Sequence, residues 1–428
     1  MPDRMATIRA FRGLRFSVDA GDLALLTAPP YDVISPEMRE ELAGQTPNNI
    51  VALTLPQDEP GARSKFVKYA TSAATLEEWR RSEVIKRDDE PSLYRYSQEF
   101  ALPDGRVVTR TKLLTLIKVE AYSKGVVLPH ERTFPKHKED RLRILEATRT
   151  HLESIFGLIE DDEAVVHRTL ITAPAELIGE LSDPDGTKQR FERISDPSAI
   201  QTLTEMLADK RVWIADGHHR YETALAFREQ QGEKDGLIAE DFMMIGLCSI
   251  SDPGLALLPT HRILKKLPCS SDELKLKLSD LFEVSETANR ELIQAIAAVE
   301  EKGGRAFGIA LPGGSGLIAK AKDLGRLVKI QNIEGSDRLK GLDVSILHNV
   351  IFEQILGLTG LDFFSYTRVE KEALDAVEGG SPAAFLMNPP TVEDMRVIAE
   401  GGEVMPQKST YYFPKLLSGL VMWSLKDF

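Results

Sequence analysis

The sequence predicts an α+β fold, with a mixed sheet in the main body and a small inserted α/β module. Two pairs of strand-like segments flank short Pro- and Gly-containing turns, namely 92–100 and 107–119 around Pro103–Arg106, and 306–311 and 316–321 around Pro312–Ser315. Such turn chemistry between β-rich segments is typical of hairpins. A third observation is an apolar run at 212–214 followed by Gly217 and a segment of helical composition, which predicts a strand, a turn and a helix.

Helix signals set the order of the remaining elements. Ser35, Pro36 and Glu37 form a typical helix start, with a cap, a proline at the first position and an early acid. Apolar side chains at helical spacing predict further helices across 66–79, 142–156 and 347–355, and the charge-rich segments 270–282 and 290–302 are also predicted to be helices. We expect a main body at 1–268 that carries the turn near Gly217, a small module at 269–338, and a segment at 339–428 that returns to close the site.

Composition excludes several classes of protein. The 428 residues carry a formal net charge of −13, which argues against nucleic acid or an anionic membrane as the main partner. The two cysteines, Cys248 and Cys269, cannot form a disulfide framework. The first residues contain no apolar signal region, and no apolar run approaches the roughly 20 residues of a membrane span. We therefore expect a cytoplasmic protein that acts on small molecules.

The segment Asp216–Arg220 concentrates polar chemistry where a helix is predicted to begin. Backbone N–H groups at a helix N-terminus bind anions, and an arginine such as Arg220 can contact a phosphate with two donors. His218 and His219 add further donors, and Asp216 stands where it can ligate a metal or accept a proton. The alternative is an ordinary helix start in which Asp216 is only the cap.

Two further clusters are candidates for the same site. The first is 129–141, where Glu131 or Asp140 can hold Mg²⁺ beside a local group of cations, namely Arg132, Lys136, Lys138, Arg141 and Arg143. The second is 404–415, where Lys408, Lys415, Ser409 and Thr410 can contact phosphate oxygens. The alternatives are a solvated charged loop for the first cluster and a terminal strand with its lysines in water for the second.

Together these segments resemble a bacterial and archaeal family known as domain of unknown function 1015. The matching segments are Ala28–Ile34, Pro129–Thr133, Lys138–Leu142, Asp216–Thr223, Leu258–Arg262 and Met405–Thr410. The turn at Gly217, His219 and Arg220 also resembles, more distantly, the phosphate-binding turn of the ParB and sulfiredoxin superfamily, which includes free-serine kinases. This resemblance implies binding of a nucleoside phosphate or pyrophosphate together with Mg²⁺. His218 stands where sulfiredoxins carry a reactive cysteine, which disfavours peroxiredoxin repair.

We therefore expect a Mg²⁺-dependent phosphotransferase acting on a small hydroxylated metabolite, with free L-serine as the first candidate. The expected catalytic residues are Asp216, which is also the expected metal ligand, His218 and His130. The expected phosphate or nucleotide contacts are Gly217, His219, Arg220, Lys138, Arg141, Lys408, Ser409, Thr410 and Lys415, and the expected substrate contacts are Asp32, Glu131 and Thr133. The three clusters should meet in one cleft. The alternatives are a nucleotide hydrolase or ParB-like nucleotide-gated switch, and a ligand-binding regulator without catalysis.

Overall fold

The chain folds into two compact units. The computed structural model describes residues 6–58, 61, 64, 66–131, 133, 135–360, 362–406 and 408–428, with the backbone but not the side chains of 135–137. The first unit comprises Met1–Pro129, Thr133–Ala256 and Pro414–Phe428, and the second comprises His130–Arg132 and Leu257–Phe413. Both units therefore draw on segments that are far apart in the sequence.

Strands and helices are mixed along the described chain, with runs of one kind as well as alternation. The strands are β1 (Ile8–Arg9), β2 (Leu14–Phe16), β3 (Ile85–Arg87), β4 (Leu93–Ala101), β5 (Val107–Lys118), β6 (Val127–Leu128), β7 (Thr150–His151), β8 (Ile155–Ile159), β9 (Glu176–Ser182), β10 (Lys188–Ile194), β11 (Val212–Asp216), β12 (Phe242–Ser249), β13 (Ala256–Leu257), β14 (His261–Leu264), β15 (Phe282–Ala288), β16 (Ala306–Ala310), β17 (Ser315–Ala321), β18 (Phe364–Thr367), β19 (Ala383–Leu386), β20 (Tyr412–Phe413) and β21 (Trp423–Ser424). The α-helices are α1 (Leu23–Leu26), α2 (Pro36–Gln45), α3 (Val51–Thr54), α4 (Val67–Arg81), α5 (Pro135–Thr148), α6 (Val165–Thr172), α7 (Pro197–Leu207), α8 (His218–Glu229), α9 (Ser271–Leu278), α10 (Leu292–Glu300), α11 (Leu324–Lys329), α12 (Asp337–Lys340), α13 (Asp343–Ile346), α14 (Glu370–Glu378) and α15 (Val392–Glu400). The helix predicted at 347–355 is present as a π-helix, Leu347–Ile355.

The first unit is built on a mixed sheet, which confirms the predicted α+β class. Its strand order is β6-β11-β8-β12-β5-β4-β10-β9, with β1 also paired to β5. The predicted hairpin of β4 and β5 forms, and Gly105 in its turn has a φ of 85°. Apolar side chains from one sheet face pack into a continuous core with α6, α7 and α8. The end of β11 is thereby held at a fixed position beside the start of α8.

The second unit has a sheet of its own, with the strand order β15-β17-β16-β19-β14-β18. The predicted hairpin of β16 and β17 is part of it. However, β16 also pairs with β19, which lies beyond the expected module boundary at residue 338. The second unit therefore extends over 257–413, and its limits differ from the three segments expected from the sequence.

One predicted helix is shorter than expected. The apolar spacing of Leu142, Leu145, Leu152 and Phe156 predicts a single helix, but α5 ends at Thr148 and Phe156 lies in β8. Arg149 has a φ of 51°, a left-handed conformation that cannot continue a helix. Among the described residues, no helix is long and apolar enough to cross a membrane.

Candidate functional site

The turn between β11 and α8 has the predicted form. Asp216 is the last residue of β11, and Gly217 is the residue that precedes the first turn of α8. Gly217 has a φ of 95°, and a Cβ at this position would lie 2.6 Å from Cγ2 of Ile155. Only glycine avoids both the backbone strain and this clash, so the sequence requires glycine here.

Asp216 is held between two cations of the first unit. Its Oδ2 atom accepts a hydrogen bond from Arg220 at 2.9 Å, and its Oδ1 atom accepts one from the ammonium group of Lys415. Burial raises the pKa of Asp216, but Lys415 and Arg220 together lower it by a larger amount, so the net pKa is about 2. Asp216 is therefore ionised at neutral pH and is a weak proton acceptor. It takes part in an ion-pair network, which the simple helix-cap alternative does not describe.

Arg220 is positioned by contacts on both sides of its guanidinium. One terminal nitrogen donates to the carbonyl of Ser154 at 2.7 Å and the other donates to Asp216. Its buried Nε atom has no hydrogen-bond partner in the described structure. Burial lowers the pKa of Arg220, but Glu153, Asp216 and Asp32 raise it by a larger amount. The side chain therefore keeps its charge while one donor remains unused.

A small cavity of about 50 Å³ lies beside Arg220. Arg141 and Glu153 also line it, and Arg141 additionally lies over the ring of Tyr31 at 4.1 Å. Burial raises the pKa of Tyr31 to about 12, although Arg220 and Arg141 act in the opposite direction. Asp32 follows in the same turn, where it is exposed. Two predicted phosphate contacts and one predicted substrate contact thus belong to one neighbourhood.

Glu222 connects the first turn of α8 to the start of α5. One of its oxygens accepts hydrogen bonds from Thr133 at 2.7 Å and from Lys138 at 2.8 Å. Lys138 and Thr133, both predicted site residues, therefore belong to the same unit as Arg220. In this arrangement the charge of Lys138 is balanced by Glu222.

The second unit holds another set of predicted residues. His130 is fully buried, and its Nε2 atom lies 2.8 Å from the hydroxyl of Thr410. Glu131 accepts a hydrogen bond from the backbone N–H of Lys408 at 3.0 Å. Two hydrogen bonds therefore join the segment 405–410, here called the lysine loop, to His130 and Glu131.

Arg262 supports the lysine loop, and the site prediction from the sequence did not include it. It is fully buried and donates to the carbonyl of Lys408 at 3.2 Å and to the Nε2 atom of His348 at 3.1 Å. Lys408 has a φ of 57°, which is strained for a residue with a side chain. Glu131 and Arg262 thus hold both peptide groups of Lys408, while its side chain remains exposed.

The predicted residues divide between the two units. The first set is Asp32, Thr133, Lys138, Arg141, Asp216, Gly217, His218, His219, Arg220 and Lys415, and the second is His130, Glu131, Lys408, Ser409 and Thr410. Arg132 and the side chain of Lys136 lie outside the described residues. The expectation that all three clusters share one cleft stays a prediction.

Three contributing residues were missed, and each gave a different signal. Arg262 and Glu222 lie in segments that already carried the family resemblance, so their charge was a usable signal. Glu153 gave none, because a single acid between two apolar segments is ordinary in any sequence.

In the described part of the chain, no group of three or more His, Cys, Asp or Glu side chains is arranged to hold a metal ion.

Comparison with protein-family models assigns this chain to a family. Residues 8–345 match the model of the family described as "Protein of unknown function (DUF1015)", and the chain belongs to that family. This confirms the resemblance found from the sequence, although the matched range ends before the lysine loop. A search of the curated proteins gives no match.

The matches among solved structures include two complexes of a free serine kinase. A variant in complex with ADP is 14% identical over 70% of this chain and 87% of the other, with a TM-score of 0.35. The complex with AMP is 16% identical over 70% of this chain and 86% of the other, with a TM-score of 0.34. A conserved hypothetical protein from Pyrococcus furiosus is 15% identical over 74% and 97%, with a TM-score of 0.35. Likeness at this level assigns no activity to this chain.

Proposed function

We propose that this protein is a phosphotransferase that moves a phosphoryl group from a nucleoside phosphate or pyrophosphate to a small hydroxylated metabolite. Free L-serine is the first acceptor to test. The observation that carries the proposal is the β11–α8 turn, where Gly217 opens a helix and Arg220 and Lys415 flank one carboxylate. Helix N-termini and paired cations are the groups that bind phosphate oxygens.

In the proposed reaction, the acceptor hydroxyl attacks the terminal phosphorus of the donor and the bridging P–O bond breaks. The donor leaves with one phosphate fewer, and the hydroxyl proton passes to a base. Phosphoryl transfer depends mainly on positioning and charge stabilisation, which Arg220, Lys415 and the backbone N–H groups of α8 supply.

The low pKa of Asp216 makes it a poor candidate for the base, so we assign it to holding Lys415 and Arg220. His218, which is buried beside Asp216 and lowers its pKa further, is the candidate base in the first unit. His130 is the candidate in the second unit, where it is hydrogen-bonded to Thr410. The pH dependence of turnover in His218→Ala and in His130→Ala distinguishes these assignments, because only the variant that lacks the base should lose the acidic limb of the profile.

The same geometry changes the assignment of the proposed Mg²⁺. Both oxygens of Asp216 accept hydrogen bonds from cationic groups, so Asp216 fits a metal ion poorly. Asp32 is a better candidate ligand for Mg²⁺ because it is exposed. It also lies close enough to Arg220 to raise the pKa of that guanidinium, which burial lowers. Mg²⁺ is commonly held by one or two carboxylates and by substrate phosphates, whose charge it neutralises.

The deciding experiment incubates the purified protein with Mg²⁺ and a panel of donors and hydroxylated acceptors. New phosphomonoesters detected by mass spectrometry, dependent on both donor and acceptor and lost in Arg220→Ala, are the expected result. Donor breakdown without an acceptor would instead identify a hydrolase or nucleotide-gated switch. Binding without turnover of any donor would identify a regulator. An Asp32→Asn variant with an unchanged Mg²⁺ requirement would contradict the metal assignment.

A further inference from the structure

Three polar side chains lie in the interior of the first unit, on one face of the β4–β5 pair. Gln98, Arg110 and Lys112 are each fully buried. Gln98 faces Arg110 directly across the two strands, and Lys112 follows two residues later on the same face. Burying cations is expensive unless their hydrogen bonds are satisfied, so the contacts of this group need an explanation.

The two donors determine which way the Gln98 amide points. Its Oε1 atom accepts a hydrogen bond from Arg110 at 2.7 Å and another from the Nζ atom of Lys112, whose pKa is held well below its usual value by burial. An amide has one acceptor end and one donor end, so this leaves the Nε2 end for a carbonyl. That end donates to the backbone carbonyl of Lys415 at 2.9 Å.

The neighbours of Lys415 in the chain are held by the same face of the sheet. Arg110 donates to the carbonyl of Pro414, and the N–H of Leu417 donates to the hydroxyl of Tyr96 at 3.4 Å. The backbone is therefore fixed before, at and after Lys415. From this fixed backbone the side chain of Lys415 reaches Asp216 in the β11–α8 turn.

We propose that Gln98 is a positioning residue, oriented by Arg110 and Lys112, that fixes the backbone of Lys415 and so directs its ammonium group to Asp216. The positioning depends only on these contacts. Its consequence for phosphate binding rests on the proposed function. The strand residues thereby act on the site without touching a ligand.

The test exploits the difference between an amide and a carboxylate. In Gln98→Glu, one oxygen still accepts from Arg110 and Lys112, and the new negative charge lies beside the guanidinium of Arg110, so the fold should persist. The second oxygen now faces the carbonyl oxygen of Lys415, where a hydrogen bond used to be. Lys415 should leave Asp216 more often, and its acylation by a limiting amine-reactive acetyl ester should rise about tenfold, the effect of one lost buried hydrogen bond.

Acylation is read out for each lysine by peptide mass spectrometry, which requires no assumption about activity. Gln201→Glu makes the same chemical change on an exposed face of α7 and should leave Lys415 unaffected. Lys112→Met is a second variant that removes one of the two hydrogen-bond donors but leaves Arg110 to orient Gln98. It should raise Lys415 acylation by about twofold, a smaller effect because one orienting hydrogen bond remains.

Unchanged acylation of Lys415 in folded Gln98→Glu would overturn the proposal, and so would equal effects of Gln98→Glu and Gln201→Glu. If Gln98→Glu does not fold, the Lys112→Met result decides in the same way. Titration calorimetry with inorganic pyrophosphate separates the two levels of inference. Raised acylation together with a changed pyrophosphate affinity, weaker if Lys415 is displaced from the ligand or tighter if it is released from Asp216, supports both. Raised acylation with unchanged pyrophosphate binding supports the positioning and contradicts the assignment of Lys415 to phosphate.

Discussion

The β11–α8 turn and the lysine loop both present cations, but the fold controls them in different ways. In the turn, the side chains of Arg220 and Lys415 are engaged by the carboxylate of Asp216. In the lysine loop, the backbone of Lys408 is held by Glu131 and Arg262 while the side chain is exposed. In the turn the fold restrains charged side chains, whereas in the lysine loop it restrains the backbone conformation of Lys408.

This difference has a consequence for ligand binding. An anion that enters the turn must compete with Asp216 for Arg220 and Lys415, whereas an anion at Lys408 meets a cation in water. Competition of this kind lowers the affinity for weak anions and favours ligands with several phosphate oxygens. Exposed cations contribute less because solvent and salt screen them.

The largest expected effect comes from Asp216→Asn, which removes the restraining charge but keeps the shape. Turnover should fall by about a hundredfold or more, because Asp216 no longer holds Arg220 and Lys415 in the preorganised positions that stabilise the transferring phosphoryl group. Pyrophosphate affinity should hold or rise, because the anion no longer competes with a carboxylate. A phosphomonoester assay and calorimetry measure the two effects, and a tenfold loss of affinity would contradict the competition.

The next effect is on binding at Arg220. Arg220→Ala should weaken pyrophosphate binding by roughly ten- to a hundredfold, because it removes a charge-assisted contact. Arg81→Ala is the matched control, since Arg81 is highly exposed on α4 of the same unit. Calorimetry at two salt concentrations checks the result. Equal effects of the two variants would remove Arg220 from the site.

A third prediction concerns the backbone at Gly217. Gly217→Ala should destabilise the first unit by about 2–4 kcal/mol, since it combines left-handed strain with overpacking against Ile155. Gly186→Ala should cost only about 1–2 kcal/mol, because Gly186 has a φ of 86° but open space around a new Cβ. Denaturant unfolding of both variants measures the difference. Equal losses would mean that the clash at Ile155 is relieved by small shifts.

The smallest effect tests the conformational restraint at Lys408. Lys408→Gly and Lys408→Ala both remove the ammonium group, but only glycine relieves the positive φ. The glycine variant should be more stable by about 1 kcal/mol, while both variants lose the same ligand affinity. Thermal unfolding and pyrophosphate titration of the pair provide the measurement. An alanine variant that is as stable as the glycine variant would show that the loop rearranges freely.

Local features of the fold were predictable because each is specified by a few adjacent residues. The β4–β5 hairpin follows from the turn around Gly105, and the β11–α8 turn follows from an apolar run and one glycine. The helix expected to continue to Phe156 failed because apolar spacing persists past Arg149, where the backbone turns left-handed. Spacing alone carries no information on that reversal.

The supports of the candidate site were much less predictable. Arg110 and Lys112 alternate along a strand in a pattern that normally marks a solvent-facing side, yet both are fully buried. Arg110 is hydrogen-bonded to the carbonyl of Pro414, which lies 304 positions further along the chain. Likewise, the limits of the second unit depend on the pairing of β16 with β19. Contacts between distant segments decide both features, and a single sequence does not reveal them.

The division of the chain between the two units also bears on biosynthesis. The first unit needs residues 414–428, yet the ribosome makes all of 257–413 before them. At 5–20 residues per second, this delay lasts roughly ten to thirty seconds. During that interval β7 lacks its partner β21, and Asp216 lacks Lys415. A nascent chain therefore completes its charged turn only after residues 257–413 have been made, and a chain released before residue 415 carries Asp216 without one of its two cations.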